Sequence, residues 1–453
     1  MSAPGRASAA LSPPPGGRVE GWGRTSVPGE ERRGEDLAAL TRGMPLSRGL
    51  GRSYGDASLP PPGAPVVANT TLGDRILAFD GQTGLLRAEA GLSLREIVYA
   101  FLPRGWFVPV TPGTFFVTLG GMVASDVHGK NHHVAGCFGE HVTRLVLRVA
   151  SGDIVSCSPT DNAELFWATV GGMGLTGHIL EVEFRMVRVP SPWIYQHKER
   201  VPDIDTFIGR LKDAASEWPM GMGWIDCVTR GARMGRGHLY LGRWATPAEA
   251  PPAAPRPRRR ITVPSLFPSF LLNPLTVALA NTGIYWSHPW RQSTGIVHPE
   301  DFFYPLDKLR LWNRMYGRRG FTQYQCVLPA SAGRDVARRF LDLLTRRGGA
   351  SFLCVIKDTG PQGRGMLSFP MPGMSIALDI KMTADTQRLV DTLNAFVIAE
   401  GGRIYLTKDA LTRPEHFRAM EPRLDAFLAV RRAWDPGLSL RSALSVRMFG
   451  DPP

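Results

Sequence analysis

Short apolar runs separated by glycine-rich turns dominate the chain from Pro45 to about residue 189. Five of these runs are predicted strands: 64–68, 76–80, 85–90, 145–150 and 177–186. Two segments with helical spacing interrupt them, and their helices are predicted to begin at Ser93 and Thr118. This pattern predicts an α+β domain over residues 35–190.

The second half of the chain alternates strand and helix in a β-α-β-β-α order. The predicted strands are 321–328, 351–356, 374–380 and 403–406, and the predicted helices are 331–347 and a helix that begins at Asp385. Such an order predicts a sheet covered by helices on one face. Residues 191–402 would form this second domain, and residues 403–453 would return to complete the first.

The N-terminal residues 1–34 are rich in Pro, Gly, Ala and Arg and contain no apolar run of the signal-peptide type. They are predicted to form a flexible leader. Without a signal peptide or a spanning segment, the sequence predicts a cytoplasmic protein or one held peripherally at a membrane.

Residues 251–295 look like an insertion, because a Pro/Ala linker and the basic run Arg258 to Arg260 precede an apolar stretch with interspersed prolines. Pro264, Pro268 and Pro274 exclude a spanning helix of roughly 20 apolar residues. A partly mobile surface loop is the favoured interpretation. Peripheral membrane contact is the alternative.

Composition places the chain among globular enzymes. Its 453 residues exceed one usual core, and 43% hydrophobic with 21% charged residues is ordinary for a soluble fold. The net charge of +13 favours anionic partners, but no nucleic-acid-binding motif is present, so no nucleic acid is expected. The 5 cysteines form no CxxC pair and are predicted to be reduced.

Three glycine clusters are the candidate chemistry of the first domain. They are RGLGRSYGDAS at 48–58, TLGGMVASDVHGKNHH at 118–133 and GGMGLTG at 171–177. Glycine density lets backbone N–H groups approach a pyrophosphate, and the helix beginning at Thr118 could receive phosphate at its N-terminal amides. The first cluster alone could equally be an ordinary turn. His128, His132 and His133 lack zinc-site spacing, so no metal is predicted.

These motifs resemble the FAD-linked oxidases of the vanillyl-alcohol-oxidase superfamily, and within it the decaprenylphosphoryl-β-D-ribose 2′-oxidase family. Further matches extend the resemblance over nearly the whole chain after the leader: FYPLDKL, GFTQYQCVLP, SFPMPG, GGRIYLTKD and FRAMEPRLDAFLAVRR. The resemblance implies a two-domain fold with a PCMH-type FAD-binding domain at 35–190 and a substrate-binding domain at 191–402. It also implies oxidation of the 2′-hydroxyl of a polyprenylphosphoryl-β-D-ribose to a 2′-ketone, the first step of epimerisation to an arabinose donor for envelope glycans.

The resemblance also implies the residues of the site. Lys408 and His128 would be catalytic, and the substrate pocket would contain Lys357, Gln325, Tyr304, Tyr54 and Trp224. FAD would be bound by a longer set of residues: Arg48, Gly49, Leu50, Gly51, Arg52, Ser53, Tyr54, Gly55, Asp56, Gly113, Thr118, Leu119, Gly120, Gly121, Ser125, Asp126, Val127, His128, Ile179 and Tyr405.

Two departures from related enzymes affect what the resemblance implies. Arg52 occupies the place of the histidine that carries FAD covalently in related oxidases, so non-covalent FAD is expected. Ser375 and Ala377 occupy places that hold an asparagine and a cysteine in the mycobacterial enzymes. Hydride chemistry does not require that cysteine, but binding of thiol-directed inhibitors should be lost.

The expected partners are a polyprenylphosphate sugar, a quinone or other electron acceptor and a separate NAD(P)H-dependent keto-reductase. Two alternatives stay open from the sequence. The first is an aldonolactone or alditol oxidase that uses O2, and the second is a flavin-free glycolipid-binding subunit.

Overall fold

A computed structural model describes residues 17–265, 272–349 and 351–453 of the chain. It contains two main antiparallel sheets with helices packed on them, so the α+β prediction is confirmed. Each sheet has its own hydrophobic core of buried side chains. The candidate site lies between the two.

The first sheet has five antiparallel strands from residues 76–185. Their order across the sheet is Ile154–Cys157, Val142–Arg148, His178–Arg185, Leu85–Glu89 and Ile76–Phe79. Beside it lies a three-stranded parallel sheet in the order Glu30–Arg33, Val66–Asn69 and Ser47–Arg48. The predicted strands of this domain are all present, with ends shifted by a few residues.

The helix predicted to begin at Ser93 spans Leu94–Phe101 and has a complete capping box. The Ser93 hydroxyl accepts a hydrogen bond from the Glu96 amide, and the Glu96 carboxylate accepts from the Ser93 amide. Its apolar face at Leu94, Ile97, Val98 and Phe101 is buried, and each such side chain contributes roughly 1.5–3 kcal/mol. This helix therefore anchors the domain on which the glycine clusters are mounted.

The expected flexible leader is wrong for the part that the structure describes, because residues 17–34 form strands. Arg18–Glu20 pairs with Ser26–Pro28, and Glu30–Arg33 pairs in parallel with Val66–Asn69. The Arg48 guanidinium draws the segment in by bonding the Glu31 carboxylate at 2.8 Å. Residues 1–16 lie outside the described residues.

The second sheet has eight strands. Their order is Gln292–Val297, Ile194–Val201, Gly237–Trp244, Met220–Ile225, Cys354–Thr359, Gly373–Lys381, Phe321–Pro329 and Arg403–Ile404. All of its strand pairs are antiparallel. Three short ribbons complete the strands: Trp106–Phe107 with Val187–Arg188, Ile261–Thr262 with Leu309–Arg310, and the N-terminal pair.

Alternation along these strands sends every second side chain to the opposite face of the sheet. In Phe321–Pro329 the side chains of Tyr324 and Cys326 enter the core beneath the helices. Gln323 and Gln325 face the central cavity instead. The predicted arrangement of helices on one face is therefore confirmed, and the other face is left for the site.

The α-helices of the described residues vary from one turn to four. They are Leu37–Leu40, Leu94–Phe101, Leu119–Ala124, His132–Ala135, Ala163–Thr169, Ile204–Ala214, Pro274–Trp286, Pro299–Phe303, Val336–Arg346, Thr386–Ala399, Pro414–Met420, Leu424–Trp434 and Ala443–Phe449. The helix predicted at 331–347 begins only at Val336, because Ala330–Ala332 forms a 3-10 turn that ends at Gly333 with φ of 90°. The last predicted strand stops at Ile404 rather than residue 406.

The C-terminal segment packs back against the first glycine cluster. Arg447, on the helix Ala443–Phe449, donates to both carboxylate oxygens of Asp56 at 2.7 and 2.8 Å and to Asp409 at 2.9 Å. Residues far apart in sequence are thereby joined beside the site. Within the described ranges, no helix is long and apolar enough to cross a bilayer.

Candidate functional site

A cavity of about 770 Å³ lies between the two sheets, within the range of about 300–1,000 Å³ that ligand sites usually occupy. Residues of all three glycine clusters and Ile179 line it, together with side chains from the open face of the eight-stranded sheet. Most of the predicted site residues line it: Arg48, Gly49, Leu50, Gly51, Arg52, Ser53, Tyr54, Gly113, Thr118, Gly120, Gly121, Ser125, Val127, His128, Ile179, Trp224, Gln325, Lys357, Tyr405 and Lys408.

The loop at residues 49–53 offers five consecutive backbone N–H groups. All five residues line the cavity, and none of their amides donates a hydrogen bond to a described residue. Gly51 has φ of 63°, a left-handed conformation that favours glycine. Successive free amides in such a turn form a concave site for an anion, and a pyrophosphate is the natural occupant.

The helix Leu119–Ala124 does not provide the free amides that its sequence suggested. The amide of Leu119 donates to the Leu92 carbonyl, that of Gly120 to the Ala90 carbonyl, and that of Gly121 to the Thr118 hydroxyl. The expectation that this N-terminus receives phosphate through its amides is therefore wrong. Gly120 instead lets the helix pack closely on Ala90, which a Cβ would approach to 3.1 Å, and both Gly120 and Gly121 line the cavity.

Five predicted residues lie close to the cavity without lining it. Gly55 lets the backbone pass the Asp409 carbonyl, where any Cβ would collide. Asp56 binds Arg447, Asp126 accepts from the Gly139 amide and the Ser368 hydroxyl, and Leu119 is a core side chain. Tyr304 is buried, and its hydroxyl bonds the Thr111 hydroxyl at 2.7 Å.

Arg52 takes an unusual position for a cation. Its guanidinium lies 3.9 Å from the ring centroid of Trp22, and its Nε has no hydrogen-bond partner among the described residues. Burial lowers the pKa of Arg52 to about 10. The stacking on Trp22 orders a segment that the sequence had assigned to a flexible leader.

His128 is held neutral at the centre of the cavity. Burial is the main cause and the charges of Lys357, His132 and Lys408 add to it, so the pKa of His128 lies well below its usual value. The Gln325 amide donates to the Nε2 of His128 at 2.9 Å, which assigns the ring proton to Nδ1. That Nδ1 has no partner among the described residues, so a hydrogen-bond donor remains available to a ligand.

Ser375 and Ala377, the two departures from related enzymes, are both beside Gln325. The Ser375 hydroxyl accepts from the Gln325 amide at 3.1 Å and so helps to orient it toward His128. Ala377 lines the cavity directly. The strand Gly373–Lys381 therefore shapes the pocket at the positions where this chain differs.

Three lysines line the cavity, and burial lowers the pKa of each. The pKa of Lys130 and of Lys408 falls to about 7, and that of Lys357 to about 8. Lys130 donates to the Phe303 carbonyl, whereas the ammonium groups of Lys357 and Lys408 bond no described residue. Lys408 lies 3.9 Å from the ring centroid of Tyr54. Such a cluster favours a bound anion and leaves a fraction of neutral amine near pH 7.

Lys130 and Asp379 were missed in the sequence. Asp379 is 1% exposed, and its carboxylate accepts from the Gln323 amide at 2.6 Å and from the Tyr316 hydroxyl at 3.0 Å. Burial raises the pKa of Asp379 to about 7, and the charge of Lys408 opposes that rise. Alternation with Ala377 along one strand was the only signal that could have placed Asp379 here.

The adjacent histidines take part in other contacts. The His132 ring accepts from the Gly360 amide at 3.0 Å, and the His133 ring bonds the Trp218 carbonyl at 3.0 Å. Among the described residues, no three acidic, histidine or cysteine side chains group closely enough to hold a metal ion.

An FAD fits this set of residues. The free amides at residues 49–53 suit its pyrophosphate. Gly113 and Gly121 line the cavity without side chains, which leaves room for a flat ring system, and the Nδ1–H of His128 has no partner among the described residues. Tyr405 lines the cavity beside His128, and its side chain is held in place by a hydrogen bond that its hydroxyl donates to the Ser125 carbonyl at 2.7 Å.

Comparison with known families identifies the same cofactor. Residues 38–158 match the family model described as an FAD binding domain. Those residues contain the loop at 49–53 and His128. FAD is therefore the cofactor of this chain.

Curated relatives extend the likeness over the full length. The chain is 34% identical to a decaprenylphosphoryl-beta-D-ribose oxidase of Mycolicibacterium smegmatis, over 95% of this chain and 97% of the relative. It is 32% identical to an uncharacterised protein of Streptomyces coelicolor, over 79% of this chain and 100% of the relative. A putative D-arabinono-1,4-lactone oxidase of Neurospora crassa matches at 31% over only 25% of this chain and 20% of its own length.

Proposed function

This chain belongs to the decaprenylphosphoryl-beta-D-ribose oxidase family, and from that premise we propose that it oxidises the 2′-hydroxyl of a polyprenylphosphoryl-β-D-ribose to the 2′-ketone. It is an FAD-dependent oxidoreductase. The observation that supports this substrate is that Lys130, Lys357 and Lys408 line the same cavity as the free amides of residues 49–53.

The reaction requires a hydride acceptor, a base for the hydroxyl proton and cationic side chains to bind the phosphate. Bound FAD supplies the acceptor for the two electrons and the hydrogen that leave C2′. Lys408 receives the hydroxyl proton through its neutral fraction, because its pKa of about 7 lies near the operating range of a general base. The C2′–O bond thereby becomes the carbonyl.

Neighbouring side chains position the sugar. The Nδ1–H of His128 and the amide of Gln325 present polar groups to the sugar hydroxyls from the open face of the sheet. Lys357 and Lys130 supply positive charge for the phosphate. Trp224 and Tyr54 form apolar wall that keeps water away from the reacting carbon.

The proposed reaction requires an electron acceptor and a second enzyme besides this chain. A quinone or another acceptor would reoxidise the flavin. An NAD(P)H-dependent keto-reductase would reduce the 2′-ketone with inverted configuration and complete the epimerisation.

Anaerobic addition of the prenylphosphoryl ribose tests the proposal through the flavin absorbance. We expect bleaching by the wild type, and a rate at least about 10²-fold lower for Lys408→Met because general-base catalysis is lost. The Lys408→Met holoprotein should keep its resting flavin spectrum. An intact yellow wild type that is not bleached would contradict the proposal.

The partial match to a lactone oxidase provides the competing outcome. Peroxide release during turnover of a soluble lactone or alditol, with no reaction of the lipid-linked ribose, would assign the chain to that class. Protein that takes up no FAD would favour a glycolipid-binding subunit.

A further inference from the structure

The helix Pro274–Trp286 and the residues just after it expose four large apolar side chains. Leu275 is 70% exposed, Leu279 65%, Trp286 54% and Trp290 71%. The three helical positions share one side of the helix through their i, i+4 and i+11 spacing. We call these four residues the apolar face.

This helix differs from a helix that faces water, because it is apolar on its outer side as well as at the buried Val277 and Tyr285. Its buried side also carries Asn281, which is 0% exposed and donates to the Asp226 carboxylate at 3.0 Å and the Ser351 carbonyl at 3.1 Å. A water-facing helix turns polar residues outward and leucines inward. The whole helix also contains no Asp, Glu, Lys or Arg. Its outer side is therefore suited to an apolar medium.

Further contacts fix the helix on the protein. The His238 ring bonds the Tyr285 carbonyl at 3.0 Å, and the Arg236 guanidinium donates to the Thr282 hydroxyl at 2.8 Å. The Arg200 guanidinium lies 4.3 Å from the ring centroid of Trp286. The apolar face is thus presented by a firmly attached element.

The segment of sequence that contains this face carries charge of one sign. Residues 250–299 contain no aspartate or glutamate, whereas five arginines occur at 256, 258, 259, 260 and 291. Arg258 and Arg260 pair with Asp301 and Glu300. Arg256, Arg259 and Arg291 are exposed and form no ion pair with a described residue. Unpaired arginines in the same segment as exposed leucine and tryptophan favour contact with anionic lipid.

The helix also borders the cavity. Ile284, on its inner side, lines the cavity together with Arg310, whose strand pairs with Ile261–Thr262. The element that would touch a bilayer on its outer side is therefore a wall of the site on its inner side.

We propose that the apolar face, with Arg256, Arg259 and Arg291, docks this protein on an anionic phospholipid bilayer. Docking would place the cavity wall against the surface where a prenyl-linked substrate resides, and this second statement rests on the proposed function. The docking itself does not depend on it.

Vesicle binding by the FAD-loaded protein, without substrate, tests the docking. We expect co-sedimentation with vesicles that contain phosphatidylglycerol, weaker binding to phosphatidylcholine alone, and a blue shift of tryptophan fluorescence. The double variant Leu275→Glu/Leu279→Glu should bind about tenfold or more weakly. Arg259→Gln/Arg291→Gln should lose roughly fivefold per arginine on the anionic vesicles.

The matched control is Ile76→Glu/Ile154→Glu, which alters two exposed apolar residues, 45% and 50% exposed, on the five-stranded sheet. It should bind like the wild type. Wild-type binding by the Leu275→Glu/Leu279→Glu variant would overturn the proposal. So would a wild-type dimer that this variant dissociates, since the face would then join two copies of the chain.

A second measurement separates docking from catalysis. The Leu275→Glu/Leu279→Glu variant should oxidise a short-chain, water-soluble prenylphosphoryl ribose at the wild-type rate and lose turnover only on long-chain substrate in vesicles. Vesicle binding with no oxidation of either substrate would refute the proposed function and leave the docking intact. Oxidation of both without vesicle binding would do the reverse.

Discussion

At the scale of single residues, burial sets the protonation states of the site more than ion pairing does. Burial is the leading cause of the lowered pKa of His128, Lys130, Lys357 and Lys408. The charge of Asp379 acts in the opposite direction and raises the pKa of Lys408. The buried carboxylate of Asp379 thus affects what fraction of Lys408 is neutral.

Replacing Asp379 by asparagine should change the pH profile of turnover. Loss of the negative charge lowers the pKa of Lys408, so the rising limb of the rate against pH should move to lower pH. Asp307→Asn, at a carboxyl that bonds Thr114 and Phe115 on the other side of the cavity, serves as the control. A limb that stays in place for Asp379→Asn, or moves equally for both, would contradict this role.

Arg52 makes the attachment of FAD testable. An arginine side chain cannot form the covalent flavin bond, and its guanidinium is occupied by stacking on Trp22. Acid precipitation of the yellow protein should therefore release the flavin to the supernatant. Flavin that stays with the pellet would show covalent attachment at another residue.

At the scale of elements, four of the eight strands of the large sheet were predicted, in the order β-α-β-β-α along the chain, whereas the strands between residues 194 and 297 were not. Gln325 and Lys357 were expected in the pocket through the family resemblance, and both line the cavity. The strands at residues 18–33 were not predictable, because they are short, polar and paired with distant partners such as Val66–Asn69. Likewise, the amides of Leu119 and Gly120 are satisfied by a turn at residues 90–92 that no local pattern indicates.

The loop at residues 49–53 can be tested with two glycines that share a backbone conformation. Gly51 and Gly43 have φ of 63° and 67°. A Cβ at Gly51 would collide with the Arg48 guanidinium, whereas nothing lies within 4 Å of one at Gly43. Both alanine variants should lose about 1 kcal/mol of stability from the backbone.

Only Gly51→Ala should weaken the binding of FAD, by roughly tenfold or more, because the displaced amides no longer converge on the pyrophosphate. Fluorescence titration of the apoprotein with FAD measures this difference. Equal FAD affinity in the two variants would exclude the loop as the pyrophosphate site.

At the scale of the whole molecule, the site depends on contacts between the ends of the chain. Arg447 links Asp56, in the first glycine cluster, with Asp409, next to Lys408. The sequence placed residues 403–453 with the first domain only through resemblance. No periodicity reveals that an arginine and an aspartate 391 positions apart will pair.

Removing this link should destabilise the protein strongly. Arg447→Met leaves two largely buried carboxylates without their cation, which costs about 3 kcal/mol. Arg418→Met breaks an exposed pair with Asp425 and should cost less than about 1 kcal/mol. Chemical denaturation of the FAD-loaded variants provides the comparison, and equal losses would contradict the account.

The cavity has three separate lysines, and the proposed reaction asks two things of them: to bind a phosphate and to accept a proton. A phosphate prefers its neighbouring amines charged, so in the proposed reaction its binding would draw protons from solvent onto Lys130 and Lys357, whose pKa burial lowers. The base that accepts a proton must instead be uncharged. A single amine could not meet both demands at one pH, and a division of labour among three amines removes that conflict.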